Sequence, residues 1–367
     1  FRDVLRMIDR SKDYGLPQAL YRYFMSGEIT DVGEMPVIAA RKALAKKTTL
    51  DGEARMLIKA SHANWEVVVS QFGSKKEVWE AVLPEMGYMA LLRNLRNLAE
   101  QGVDLTPVLK KLADAKEVAR SRQLPFRFYS AYVVMQQAAK LTTPLANALE
   151  DALGHSAVSL ARLPGVTVIA SDNSGSMSSP VSAKSTVTRQ NASNLLAAIA
   201  MRISDEGHAI VFGESAKLVP LSTRDGFITN MMKQAQTDVG HSTNAHKAIE
   251  VMLAHRIKAD RLIVFSDMQC WNSDVGSTAT LSGAVARYRK SVNPNLFVHS
   301  VDLAGYGQSA FKTDDPRTNL VSGFSEKILR TVLDFELAVA GPTTAPRAVA
   351  DVTQRPLPTL DDIRARY

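Results

Sequence analysis

The apolar and polar positions of this chain fall into two textures. Up to Arg162, apolar residues recur at three- and four-residue spacing, the period of a helix with one buried face. The pattern predicts helices over Pro17–Met25, Met35–Lys47, Asn64–Phe72, Lys75–Leu83, Tyr88–Gln101, Thr106–Ser121, Pro125–Ala139 and Thr143–Arg162. Thr106-Pro107 and Thr143-Pro144 suit a capping threonine followed by a first-turn proline. No stretch in this part reads as a strand. Helices in unbroken succession predict a bundle or a stack of helix pairs of the HEAT kind. No residue period marks a repeat.

After Leu163-Pro164-Gly165 the pattern changes. Val166–Ala170, His208–Phe212, Arg261–Phe265 and Leu296–Val301 are continuous apolar runs of strand length, bounded by turn residues. Helical stretches lie among them at Gln190–Ser204, Ala245–His255 and Leu281–Lys290, and Ser325–Leu337 follows. Strands alternating with helices predict a parallel sheet covered on both faces, with a ligand site at the C-terminal strand ends. From Gly341 onward, four prolines in 27 residues predict an extended tail. The expected organisation is a helical domain over residues 1–163, an α/β domain over 164–340 and a Pro-rich tail over 341–367.

Composition narrows the class. At 367 residues, two or three domains are expected, and 46% hydrophobic against 22% charged residues is a globular profile. No apolar run approaches the ~20 residues of a membrane-spanning helix, so neither a membrane span nor a leader is expected. A single cysteine, Cys270, excludes an intrachain disulfide framework and a thiolate-rich metal site. It also favours a reducing, cytoplasmic setting. The net charge is +7, with 23 basic and 18 acidic residues up to Pro164 and 21 and 19 beyond it. A basic excess concentrated in the helical part is compatible with an anionic partner such as nucleic acid.

The first strand runs directly into Asp172-Asn-Ser174-Gly-Ser176, a D-x-S-x-S sequence. A carboxylate and two hydroxyls at two-residue spacing on a glycine-containing turn can aim at one point. An oxygen-only set of this kind suits a hard cation, best Mg²⁺. Gly240-His-Ser-Thr243 precedes a later helix, and Ser266-Asp267 ends the strand Arg261–Phe265. The combination resembles the von Willebrand factor A fold and its metal-ion-dependent adhesion site. That resemblance implies Ser174, Ser176 and Thr243 as direct ligands of Mg²⁺ or another divalent cation, with Asp172 and Asp267 acting behind them through water. Ser242 is a rival for Thr243. No base or nucleophile for catalysis is evident; His241, His246 and Cys270 read as structural or solvent-facing groups.

The segment from Ser74-Lys75-Lys76 through Trp79 to Arg93-Asn94-Leu95 resembles the TROVE module of the Ro 60 kDa family, found in the Ro autoantigen and its bacterial and phage relatives. Phe1–Arg6, Leu124-Pro-Phe-Arg127, Asp314-Asp-Pro316 and Val321-Ser-Gly-Phe324 match the same family. The order, a HEAT-like TROVE domain followed by a Rossmann-like von Willebrand A domain, is the family's architecture and extends to about Leu337. The resemblance implies a non-enzymatic RNA-binding protein. Family members bind small structured Y RNAs on an outer basic surface and misfolded or single-stranded RNA 3′ ends in a central hole. They act in RNA quality control, and bacterial relatives tether an exoribonuclease through the Y RNA. By the resemblance, Arg2, Arg6, Arg10 and Lys12 belong to the outer RNA face, and His62, Lys75, Lys76, Arg93 and Asn94 to the ring interior or rim. Trp65 and Trp79 occupy apolar helical positions and are expected in the core rather than under a base.

The family ring includes helical sequence before the position matching Phe1. A protein lacking it would close a ring only through several subunits, which makes a homo-oligomer a further expectation. A reading from another class is a metal-dependent adhesion module that captures an acidic residue of a protein partner. Basic residues such as Arg2 and Arg6 discriminate, because adhesion has no need of them. A metal-assisted phosphoesterase is the least supported, for want of a general base.

Overall fold

The computed structural model describes residues 18–29, 33, 35–158, 160–183, 185–268, 280–305 and 315–340. They fold as two compact units. One runs up to Leu112 and takes in Gln137–Lys140; the other holds Ala113–Gln136 and the chain from Leu141 onward. Helix gives way to strand between Ala157 and Leu163, whereas the compact units divide within the helical sequence.

Among the described residues, ten α-helices precede the first strand: α1 (Gln18–Ser26), α2 (Pro36–Ala45), α3 (Gly52–Ala60), α4 (Trp65–Phe72), α5 (Lys76–Val82), α6 (Tyr88–Glu100), α7 (Thr106–Ala113), α8 (Ala115–Ser121), α9 (Pro125–Gln137) and α10 (Thr143–Ala157). No strand lies among the described residues before Leu163, as the helical period predicts. Side-chain caps set several starts: Asp51 accepts from Ala54 N–H at 2.7 Å, Asn64 from Val67 N–H at 2.9 Å and Asp114 from Lys116 N–H at 2.8 Å. The Asp114 cap splits the single helix expected over Thr106–Ser121. Thr142 caps α10, which ends at Ala157, five residues short of the expected Arg162.

The second unit carries a six-stranded sheet of β1 (Leu163–Asp172), β2 (Ser204–Phe212), β3 (Ala216–Val219), β4 (Arg261–Ser266), β5 (Phe297–Asp302) and β6 (Thr318–Ser322). Its order is β3-β2-β1-β4-β5-β6, and every pairing is parallel except that of β2 with β3. The order reverses between β1 and β4, the switch point at which doubly wound sheets open a crevice at their carboxyl ends. Register aligns those ends: Asp172 sits opposite Phe212, and Ser266 opposite Asp302.

Among the described residues, helices α11 (Arg189–Ile203), α12 (Phe227–Ala235), α13 (His246–Ala254), α14 (Leu281–Ser291) and α15 (Ile328–Ala340) accompany the sheet. Alternation along each strand feeds two cores. Val168, Ala170, Ile210, Phe212, Leu262 and Val264 join a cluster with α13 and α14. On the other face lies α11, whose Ala192–Met201 run is buried throughout, as expected of a helix apolar on nearly every side. Ser171 of β1 donates to Gln234 Oε1 of α12 at 3.2 Å on that face.

Helix α10 packs into this unit through its buried face of Leu145, Leu149, Ala152 and Leu153, and one of its carboxylates caps α12. Glu150 accepts both Phe227 N–H and Ile228 N–H (3.0 Å for the latter), capping α12 from outside. The α12 N-cap, Gly226, has no side chain to do so, and a Cβ there would sit 2.8 Å from Glu150 Cδ. Phe126 and Phe324, from two of the family-like motifs, meet edge-on with centroids 6.3 Å apart.

Candidate cation site and nucleic-acid interface

Apolar β1 delivers Asp172 into the crevice, where its side chain is fully buried. Its Oδ1 accepts Ser174 N–H at 2.8 Å, and its Oδ2 accepts the Ser266 hydroxyl at 2.5 Å. Burial pushes the Asp172 carboxyl up to about 6 against these hydrogen bonds, and neighbouring Asp267 adds to the rise. The Ser174 and Ser176 hydroxyls lie 3.4 Å apart. Neighbouring ligands of octahedral Mg²⁺ at ~2.1 Å would lie about 3 Å apart, so the pair needs little adjustment to share one cation.

The threonine loop is tied to this turn: Gly175 N–H donates to His241 O at 3.0 Å. Two glycines permit the approach. A Cβ on Gly213, just past β2, would fall 2.7 Å from Gly240 O, and Gly240 itself has φ +74°. Within the loop Thr243 is buried and Ser242 exposed, so Thr243 is the residue turned into the protein. His241 is exposed and His246 half-buried; Cys270 lies outside the described residues.

Asp267 follows β4 and is fully buried, and its Oδ2 accepts from Arg189 Nη1 at 3.1 Å. The next residue, Met268, has φ +57°, a strained conformation for a side chain of its size. Its N–H donates to Ser266 Oγ at 3.1 Å, so Ser266 links both carboxylate segments. Among the described residues, no group of three or more His, Cys, Asp or Glu could hold a metal. The donor set at the crevice is hydroxyls plus buried carboxylates, which fits a hard cation and not a zinc-type site. A cleft of about 600 Å³ opens along edge strand β3, lined by Gly207–Ala209 and Ala216–Leu221, and contains none of the predicted site residues.

The predicted RNA-contacting residues divide three ways. Arg2, Arg6, Arg10 and Lys12 lie outside the described residues. His62, Lys75, Lys76 and Arg93 are exposed. His62 has φ +45° and its Nδ1 lies 3.5 Å from Glu85, while Lys76 pairs loosely with Glu80 at 3.7 Å. Asn94 is buried, donating to Ala90 O and accepting from Asn97 Nδ2, both at 2.9 Å, so its polar atoms serve helix α6. Trp79 is buried and stacked on Trp65 at 5.7 Å, as its apolar position predicts. Sequence reading missed Arg189: it stands 78 residues from its partner Asp267, and no local pattern marks it.

A TROVE domain family model matches residues 38–217, and a Ro60 vWA domain model matches residues 167–336. The RNA-binding protein RO60 of Deinococcus radiodurans is 25% identical over 334 residues, covering 86% of this chain and 61% of that protein. The chain thus spans about three fifths of that relative's length. Telomerase protein component 1 of Mus musculus is 41% identical over 73 residues, 18% of this chain and 3% of that protein. The crystal structure of the Deinococcus radiodurans RO (RSR) protein superposes with a TM-score of 0.67 at 21% identity, covering 88% of this chain and 67% of that one. That likeness shows a shared fold. No helix among the described residues is long and apolar enough to cross a membrane.

Proposed function

We propose that this chain, which belongs to the TROVE-domain Ro 60 kDa family, is an RNA-binding protein of the Ro type. The observation that carries this reading is the succession of a TROVE match and a Ro60 vWA match across residues 38–336. Exposed Lys75, Lys76 and Arg93 support it physically, because solvent-exposed cations gain affinity for phosphate by releasing condensed counterions. Arg2, Arg6, Arg10 and Lys12 serve a structured, Y-like RNA, and the helical domain takes single-stranded or misfolded ends. The protein performs no chemistry on the RNA. It works as a chaperone or scaffold in cytoplasmic RNA quality control, with self-association and an exoribonuclease tethered through RNA as its further partnerships.

Replacing Lys75, Lys76 and Arg93 together by alanine is expected to weaken single-stranded RNA binding about tenfold or more at low salt. The slope of log affinity against log salt should flatten by up to ~2. Fluorescence anisotropy with a labelled single strand measures both. Unchanged affinity and slope would remove these residues from the interface.

The cation reading is part of the proposal. Ser174, Ser176 and Thr243 would hold Mg²⁺ or another divalent ion through their hydroxyls, with Asp172 and Asp267 behind them through water. Such an ion supplies a positive point that takes an anionic oxygen, carboxylate or phosphate. The double variant Ser174→Ala/Ser176→Ala is expected to lose Mn²⁺ binding in calorimetry while RNA affinity stays within about threefold of the parent. Loss of RNA binding in that variant would instead make the crevice part of the RNA interface.

A further inference from the structure

The crevice contains a cation of its own. Arg189 opens α11, where Thr188 and Asn191 form a reciprocal capping box with hydrogen bonds of 3.1 and 3.2 Å. Arg189 N–H donates to Ser179 O at 2.9 Å, pinning the helix start to the end of the turn that carries Ser174 and Ser176. From that fixed backbone the guanidinium reaches Asp267 at 3.1 Å, with its side chain 12% exposed and that of Asp267 0%. Asp172, Asp267 and Arg189 together then carry one net negative charge when both carboxylates are ionised. A divalent ion entering the crevice meets a positive group already in contact with one of the carboxylates meant for it. A guanidinium stays protonated throughout the physiological range, so it cannot step aside by neutralising. A divalent ion at the site would compete with Arg189 for Asp267.

We propose that Arg189 is the built-in counter-ion of this cation site: it compensates buried Asp267 when no metal is bound, gives up that contact when a divalent cation enters, and thereby holds the site's affinity low. The inference rests on the cation reading above. Its physical basis is that a buried carboxylate stripped of its partner is costly, while like charges within a few ångströms repel strongly in a partly desolvated crevice. Metal occupancy is thus linked to the position of the α11 side chain, and the two bindings at Asp267 weaken each other reciprocally.

The test is Mn²⁺ binding to the full chain by calorimetry, for the parent, Arg189→Gln and Arg189→Lys. Arg189→Gln keeps a donor for Asp267 without the charge, and should bind Mn²⁺ about tenfold tighter or better. Arg189→Lys keeps the charge and should stay within about threefold of the parent. In chelator, Arg189→Gln should melt below the parent, and its melting temperature should rise more on Mn²⁺ addition; a variant that folds only with Mn²⁺ present supports the proposal in the same way. Binding by Arg189→Gln alone, with none by the parent, is its strongest form. Equal Mn²⁺ affinity in the parent and Arg189→Gln, or equal tightening in Arg189→Gln and Arg189→Lys, would overturn the counter-ion role while leaving the cation site in place. Absence of binding in all three would overturn both.

Discussion

Replacing Glu336 by alanine is expected to destabilise the sheet-containing unit by about 3–5 kcal/mol, because it strands a buried guanidinium. Arg261, 3% exposed at the start of β4, donates through Nε and Nη2 to the two Glu336 oxygens at 2.8 and 2.9 Å. Its Nη1 bonds Pro164 O and Thr167 Oγ1 on the neighbouring strand. Glu336 Oε1 also meets Nε2 of fully buried His299 at 2.9 Å, and Asn319 Nδ2 lies 3.2 Å from the other ring nitrogen. If that amide donates to Nδ1, the proton of a neutral His299 sits on Nε2 and points at Glu336. One carboxylate from α15 thus compensates β4 and β5 together. Urea unfolding of Glu336→Ala tests the loss. The double variant Arg261→Met/Glu336→Leu, which removes both charges, should recover much of it, since apolar replacement of a buried pair is often near neutral.

The same cluster fixes a direction for pH dependence. Burial lowers the His299 value against the pull of Glu336. For Glu336 burial acts upward, but hydrogen bonds from His299 and Arg261 outweigh it and hold the carboxyl below its usual range. Both folded values lie below the unfolded ones, so the unfolded chain takes up more protons as pH falls. The stability from His299 is fully present above its unfolded value of about 6.5 and declines below it. The Glu336 contribution follows below about 4.3. Urea midpoints at successively lower pH should fall in that order, and the His299 step should change in Glu336→Ala.

Replacing Trp79 by alanine carries the second large expectation, a loss of about 3–5 kcal/mol from the first unit. Trp79 is 1% exposed, stacks on Trp65 with an interplanar angle of 23°, and donates from Nε1 to Ser74 Oγ at 3.0 Å. Removing it opens a cavity in the core of α4 and α5 and leaves the Ser74 hydroxyl without that donor. Denaturant unfolding followed by far-UV circular dichroism measures the cost. A base-stacking tryptophan would give the opposite result, with stability kept and RNA affinity reduced by ~1–3 kcal/mol per base.

Strands β1, β2, β4 and β5 are legible because their central stretches, Val168–Ala170, Ala209–Phe212, Leu262–Phe265 and Val298–Val301, are buried and mostly apolar, with His299 and Ser300 the polar exceptions. The edge strands β3 and β6 are short and only partly buried, so Lys217 and Asn319 interrupt any run and neither was foreseen. Helix α12 was missed because its cap comes from Glu150, far back in the chain, rather than from its own first residues. Helix α3 was missed too: it begins at Gly52 and buries only Ala54 and Ile58, which leaves a faint apolar stripe. The D-x-S-x-S turn is legible because its three oxygen donors are contiguous. The Arg189–Asp267 and Arg261–Glu336 pairs join residues 78 and 75 positions apart and exist only once the sheet has formed. Asn94 sits in the most family-like segment, yet whether its amide serves RNA or its own helix depends on which face of α6 is covered.

The most direct test of RNA binding by this chain is an anisotropy titration of the purified protein with a stem-loop RNA bearing a single-stranded 3′ end, repeated from about 50 to 200 mM salt. Saturable binding is expected in dilute buffer, with log affinity falling linearly as log salt rises. No binding at the lowest salt, or an affinity indifferent to salt, would contradict it.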